Sequence, residues 1–118
     1  MTATLRRAGT LADILHRRAQ DAPEQLALTA LGSDGEPAAR LTAAGLDLAA
    51  RTLAAELLAV AAPGDRVLLP AMPGLRFQVG FLACLYAGLI AVPAPAIGTA
   101  APGSGRPRRF SRLVGLCR

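Results

Sequence analysis

Residues 63–95 read PGDRVLLPAMPGLRFQVGFLACLYAGLIAVPAP. The apolar run Arg66–Leu69 predicts a short strand of the buried type, and residues 75–87 predict a helix. Leu89–Val92 predicts a second strand. Two strands joined by about twenty residues with a helix between them favour a right-handed crossover between parallel strands. The stretch therefore predicts an α/β fold.

Prolines mark the ends of these elements. Pro70 follows the first strand, and Pro93 and Pro95 should stop the second strand at Val92. Pro73 suits the first turn of the intervening helix, because the amide hydrogen that it lacks would have no partner there.

Upstream of this stretch, the chain predicts a helix and a hairpin. Thr10 reads as a helix N-cap with Asp13 three residues later, and Pro23 closes the amphipathic segment that follows. Residues 26–31 predict a strand, and the turn-rich residues after them lead to a second short strand at 38–42.

The next segment predicts the clearest helix of the chain. One apolar stripe runs through it at helical spacing, formed by Leu46, Ala50, Leu53, Leu57 and Val60. The polar residues Asp47, Arg51 and Glu56 lie off this stripe.

Composition limits the possible functions. The 118 residues are 53% hydrophobic and 18% charged, with a net charge of +5, and every basic residue is Arg. Without Lys the chain has no Schiff-base or phosphate-binding ammonium. Cys84, Cys117 and His16 are too few for a disulfide framework or a four-ligand zinc site. A reducing compartment and the lack of a signal-peptide pattern after Met1 predict a cytoplasmic protein.

Few residues are candidates for chemistry. His16 lies beside Arg17 and Arg18 on a helix and is interpreted as a solvated surface residue. Cys84 lies in an apolar segment and is interpreted as a buried, inert thiol, and Asp65 as a turn residue. No glycine-rich phosphate loop is recognisable. The sequence therefore predicts no catalytic, cofactor-binding or metal-binding residue in this chain.

A first alternative is a small membrane protein with a single span at residues 77–92. These residues carry no formal charge, and Gly80, Cys84 and Gly88 form a ridge of small residues suited to close helix contact. The segment is shorter than the roughly twenty residues that a bilayer requires, and prolines limit its extension. A buried helix followed by a buried strand is therefore favoured.

A second alternative is a basic adaptor that docks a partner through Arg106–Arg118. The five arginines of this tail could neutralise phosphates. Phe110 is the single aromatic residue in this tail, too few to stack on successive bases, so nucleic-acid binding is not favoured.

The order of motifs resembles the start of an adenylate-forming acyl-activating enzyme, and specifically the fatty-acyl-AMP ligase branch. The opening helix and strand are similar in the residues between Thr10 and Leu28, and Leu41–Asp47 is similar to the family's Leu-Thr-Tyr-x-Glu-Leu-Asp entry to its second helix. The most specific phrase is Pro63–Leu69. It is followed by the family-like Phe81–Gly88 and Ala91–Pro95, while Arg112-Leu113 falls where the branch begins its next helix.

The sequence departs from the family pattern at three places. Ala43 stands where the family has an aromatic residue, Gly45 stands where it has Glu, and residues 96–105 resemble an insertion. The resemblance implies that residues 10–95 form a partial N-terminal subdomain of the ligase. Residues 1–9 would be a flexible lead-in, and residues 96–118 a Pro/Gly/Arg-rich loop with the start of a truncated helix.

The resemblance also implies a function. In this family a fatty acid carboxylate attacks the α-phosphate of ATP with Mg²⁺, and the acyl-adenylate passes to an acyl carrier protein. The family's phosphate loop and catalytic lysine have no counterpart in this chain. The expectation is therefore an N-terminal fragment that is inactive alone, binds no cofactor itself, and has the remainder of the ligase as its partner.

Overall fold

The computed structural model describes residues 9–72 and 74–95. Helices and strands alternate in this part of the chain, in agreement with the predicted α/β class. In chain order the elements are α1 (Leu11–Asp21), β1 (Leu26–Leu31), β2 (Pro37–Thr42), α2 (Ala43–Leu58), β3 (Arg66–Ala71), α3 (Arg76–Ala87) and β4 (Ile90–Pro95). The predictions for residues 1–8, Pro73 and 96–118 lie outside the described residues.

The predicted hairpin is present. Strands β1 and β2 pair antiparallel, with Leu28 opposite Leu41. Their turn is closed by the Gly32 amide, which donates to the Glu36 carbonyl at 2.8 Å. Gly35 has a φ of 82°, a left-handed conformation that glycine adopts without a Cβ clash. The turn therefore needs glycine at this position.

Strands β3 and β4 form a parallel pair joined by α3, as the crossover predicts. The prediction that prolines end these strands is wrong, because β3 continues through Pro70 and β4 through Pro93 and Pro95. The Ile90 amide donates to the Asp65 carbonyl at 2.8 Å. Because successive residues of a strand direct their backbone groups to opposite sides, this bond shows which residues of β3 and β4 face the partner strand. All three prolines fall at positions whose nitrogen faces away from the partner strand, so no ladder hydrogen bond is lost.

Helix α3 matches the predicted helix to within one residue and ends at Gly88. Gly88 has a φ of 73°, and its amide caps the helix by donating to the Leu85 carbonyl. This left-handed residue turns the chain into β4, so residues 77–92 are a helix and a strand rather than one rod. Among the described residues, no helix is both long and apolar enough to span a bilayer.

The core lies between α2, α3 and the parallel strands and is built from small side chains. Its buried residues are Ala54, Ala83, Cys84, Ala87 and Leu89. Gly80 is also buried, and a Cβ added there would lie 2.7 Å from Leu69 Cδ1. The small residues thus allow α3 to lie close to β3. At Gly80, the ridge of small residues thus makes close contact with a strand and not with a second membrane helix.

Helix α2 is shorter than its apolar stripe suggested. It ends at Leu58, and Val60 is 85% exposed instead of continuing the buried face. Its N-cap is Thr42, whose hydroxyl accepts from the Gly45 amide at 3.1 Å. The glycine that replaces the family's Glu therefore still receives a side-chain cap.

Candidate functional site

One buried carboxylate joins the three helices. Asp47 lies on α2 and is 3% exposed, the only charged residue buried among those that the structure describes. Its position off the predicted apolar stripe of α2 therefore does not place it in solvent. A buried carboxylate is stable only if it is paired or hydrogen-bonded, and Asp47 has partners from all three helices.

Each partner approaches Asp47 from a different direction. The Tyr86 hydroxyl of α3 donates to Oδ1 at 2.5 Å, and Arg51, one turn along α2, forms an ion pair through Nε with Oδ2 at 3.0 Å. From α1, His16 Nδ1 lies 3.4 Å from Oδ1. We call this set of four residues the Asp47 cluster. It cross-links helices that are far apart in sequence.

The imidazole of His16 has two partners. Its Nε2 lies 3.3 Å from Gln20 Nε2, while Nδ1 faces Asp47. The tautomer with its proton on Nδ1 satisfies both contacts, because it donates to the carboxylate and accepts from the amide. The side chain of His16 is 45% exposed, as expected of a surface residue, and in addition it contacts buried Asp47.

Three members of the cluster, His16, Arg51 and Tyr86, line an open depression of about 400 Å³. Thr10 and Asp13 of the α1 N-terminus and Leu85 of α3 also line it. Burial raises the pKa of Tyr86 above its ordinary value, and the hydrogen bond to Asp47 raises it further. The phenol therefore stays protonated and acts as a donor.

The contacts of the Asp47 cluster indicate a structural role and not a catalytic one. The Asp47 carboxylate already has three partners, Tyr86, Arg51 and His16, so it has little capacity left to act as a base or nucleophile. No group of three or more potential metal ligands occurs in the described part of the chain. Every buried side-chain nitrogen and oxygen in this part has a partner. The cluster is thus a fully satisfied polar network that fixes helix positions.

The other two candidates have the structural roles predicted for them. Cys84 is fully buried within the core, and burial raises the pKa of its thiol, which disfavours the reactive thiolate. Asp65 lies in the turn before β3, where its Oδ2 accepts from the Ala62 amide at 2.8 Å. Neither residue contributes to the depression above the Asp47 cluster.

A signal for the cluster exists in the sequence but is weak. Asp47 and Arg51 are four residues apart on one helix, a spacing that permits an ion pair. Nothing local shows that this pair faces α1 and α3. The partners His16 and Tyr86 lie 31 and 39 residues away from Asp47, beyond the reach of a periodicity argument.

Two relatives of known name match most of the chain. The 4-hydroxyphenylalkanoate adenylyltransferase of Mycobacterium marinum is 37% identical over 98 residues, which is 80% of this chain and 16% of that enzyme. The long-chain-fatty-acid–AMP ligase FadD26 of the same organism is 37% identical over 87 residues, which is 71% of this chain and 15% of that enzyme. No family model matches the chain.

Solved structures agree with these relatives. The fatty acid AMP ligase from Legionella pneumophila superposes with a TM-score of 0.86 at 35% identity, over 99% of this chain and 19% of its own. The chain matches the N-terminal part of fatty-acyl-AMP ligases. A second Legionella pneumophila structure, a fatty acyl-adenylate ligase in complex with acyl adenylate and pyrophosphate, superposes with a TM-score of 0.75 at 39% identity.

The match is confined to a small part of the fatty-acyl-AMP ligases. The chain spans about 16% or less of the length of the curated relatives that it matches. The resemblance drawn from Pro63–Leu69 and the motifs after it is confirmed, and the membrane alternative is not favoured. The alternative that rests on Arg106–Arg118 lies outside the described residues.

Proposed function

We propose that this chain is the N-terminal portion of a fatty-acyl-AMP ligase. The complete enzyme would join a fatty acid carboxylate to the α-phosphate of ATP, releasing pyrophosphate. The observation that carries this proposal is the superposition of 99% of the chain on the Legionella pneumophila fatty acid AMP ligase, with 35% identity. A fold-level likeness alone would support only the architecture.

Within that enzyme, this portion would act as scaffold. Residues 10–95 would form part of the N-terminal subdomain, with residues 1–9 as a lead-in and residues 96–118 as a loop that leads to the next helix. The Asp47 cluster supports this role, because it fixes three helices and its carboxylate is already occupied by its partners. ATP and Mg²⁺ would be held by the remainder of the ligase, where the metal would offset phosphate charge.

The cellular setting follows from the same proposal. A ligase of this type would work in the cytoplasm and deliver its acyl-adenylate to an acyl carrier protein. The buried free thiol of Cys84 is compatible with a reducing compartment.

The first test is ATP–pyrophosphate exchange by the isolated 118-residue chain. We expect no exchange above background with fatty acids of short, medium or long chain. Measurable exchange would show that the chain carries chemistry of its own, and the scaffold role would be wrong.

The second test asks whether the chain can serve as scaffold. The 118-residue chain replaces the segment on which it superposes in the Legionella pneumophila ligase, giving a chimeric ligase. We expect this chimera to catalyse fatty-acid-dependent exchange, whereas the same ligase lacking the segment should not. A soluble, folded chimera without exchange would contradict the proposed function.

A further inference from the structure

The two outer edges of the β3–β4 sheet differ in their backbone donors. The Ile90 amide donates to the Asp65 carbonyl across the sheet. Successive residues of a strand face opposite sides, so Val92 and Ala94 also face β3. Ala91, Pro93 and Pro95 consequently face the outer edge of β4. The same alternation places Arg66, Leu68 and Pro70 on the outer edge of β3.

Proline removes most donors from the outer edge of β4. Pro93 and Pro95 have no amide hydrogen, so Ala91 offers the only N–H on this edge within the strand. The rings of two prolines at alternate positions also occupy the space that an approaching strand would need. Prolines in this arrangement are typical of an edge strand that stays unpaired.

Within residues 9–72 and 74–95, no strand pairs with the outer edge of β3. Arg66 and Leu68 present consecutive outward donors, and Pro70 occurs only near the end of the strand. The middle residues of β3, Val67, Leu68 and Leu69, are apolar and half-buried. Apolar side chains therefore occur on both faces of the sheet. An apolar run without alternation is typical of a central strand covered on both faces.

We propose that the outer edge of β3 is an assembly surface, where a strand from the remainder of the ligase pairs, and that β4 is the border of the completed sheet. This inference rests on the proposed function. The occupant is a strand of the ligase polypeptide because the chain covers only 19% of the Legionella pneumophila ligase on which it superposes. The greater part of the polypeptide that could cover β3 thus belongs to the rest of the ligase.

Two matched proline substitutions test this assignment in the chimeric ligase. Leu68→Pro removes an outward N–H from β3, and Ala91→Pro removes an outward N–H from β4. Leu68→Ala controls for the lost leucine side chain. We expect Leu68→Pro to reduce pyrophosphate exchange and soluble yield about tenfold or more relative to Leu68→Ala, because a ladder hydrogen bond is lost and the ring blocks pairing. Ala91→Pro should stay within about twofold of the parent chimera, since no strand pairs there.

The outcomes separate this inference from the proposed function. An inactive parent chimera would contradict the proposed function and the inference together. An active parent in which Leu68→Pro equals Leu68→Ala, or in which Ala91→Pro loses as much, would overturn the edge assignment alone.

The isolated 118-residue chain gives an independent check. Neither substituted amide belongs to the β3–β4 ladder, so both proline variants should show the same far-UV circular dichroism as their parent. A greater loss with Leu68→Pro would place that amide inside the existing sheet and overturn the inference. A dimer of the isolated chain that Leu68→Pro abolishes would assign the edge to a second copy and overturn it as well.

Discussion

The junction of the three helices and the core beneath α3 hold the chain together by different means. At the junction, one carboxylate, Asp47, is shared by Tyr86, Arg51 and His16, and the contacts are directional. In the core, alanine, cysteine and leucine side chains pack without polar contacts. Different kinds of substitution should therefore destabilise the two regions. The junction is sensitive to the loss of one acceptor, and the core is sensitive to added volume.

The largest effect is expected from Asp47→Ala. The substitution leaves the Tyr86 hydroxyl and the Arg51 guanidinium without their acceptor at a partly buried site. Removal of one member of such a network should lower the free energy of unfolding by about 3 kcal/mol. Urea denaturation of the 118-residue chain, followed by the fluorescence of Tyr86, its only tyrosine, measures the change. A loss below about 1 kcal/mol would show that the junction contributes little to stability.

Asp47→Asn is the matched control, because its amide oxygen can still accept from Tyr86. It should cost less than Asp47→Ala and should bring the pKa of Tyr86 closer to its ordinary value of about 10. In the parent chain the folded state holds the phenol proton more tightly than the unfolded state. This stabilisation is complete below about pH 10 and should decline as the pH rises above it. Absorbance titration of Tyr86 detects the difference between parent and variant.

The core is tested by Ala83→Leu. Ala83 lies on the face of α3 that packs into the core and is fully buried. Three added carbon atoms therefore have no space unless α3 moves. Overpacking of this kind should lower the free energy of unfolding by about 2 kcal/mol. The same substitution at exposed Ala55 on α2 is the control and should change stability by less than about 0.5 kcal/mol. Equal effects at both positions would contradict the picture of a tightly packed core.

The helices and strands of both regions could be predicted from the sequence. The contacts of the Asp47 cluster could not. The parallel crossover could be predicted because apolar runs and turn residues are local signals. Strand ends at Pro70 and Pro93 were wrong because the effect of proline depends on which side of the strand its nitrogen faces, and pairing decides that. Asp47 lies off the apolar stripe, and periodicity alone does not show whether such a residue is buried. Its burial depends on Tyr86, which only tertiary structure brings near.

The smallest expected effect concerns the position of α1 at the edge of the junction. The Thr10 hydroxyl accepts from the Asp13 amide at 3.1 Å, and the Thr10 amide donates to Asp13 Oδ2 at 3.1 Å, which completes a capping box. Thr10→Ala removes the first of these bonds and should lower the free energy of unfolding by about 1 kcal/mol, because an N-terminal amide of the helix loses its partner. Thr10→Ser keeps the hydroxyl and should restore most of the loss. Since α1 reaches the rest of the fold partly through His16 and Asp47, amide hydrogen exchange in α1 should rise more in Thr10→Ala than exchange in α3. Equal increases in both helices would mean that α1 and the core unfold as one unit, and the two regions would then not be separable.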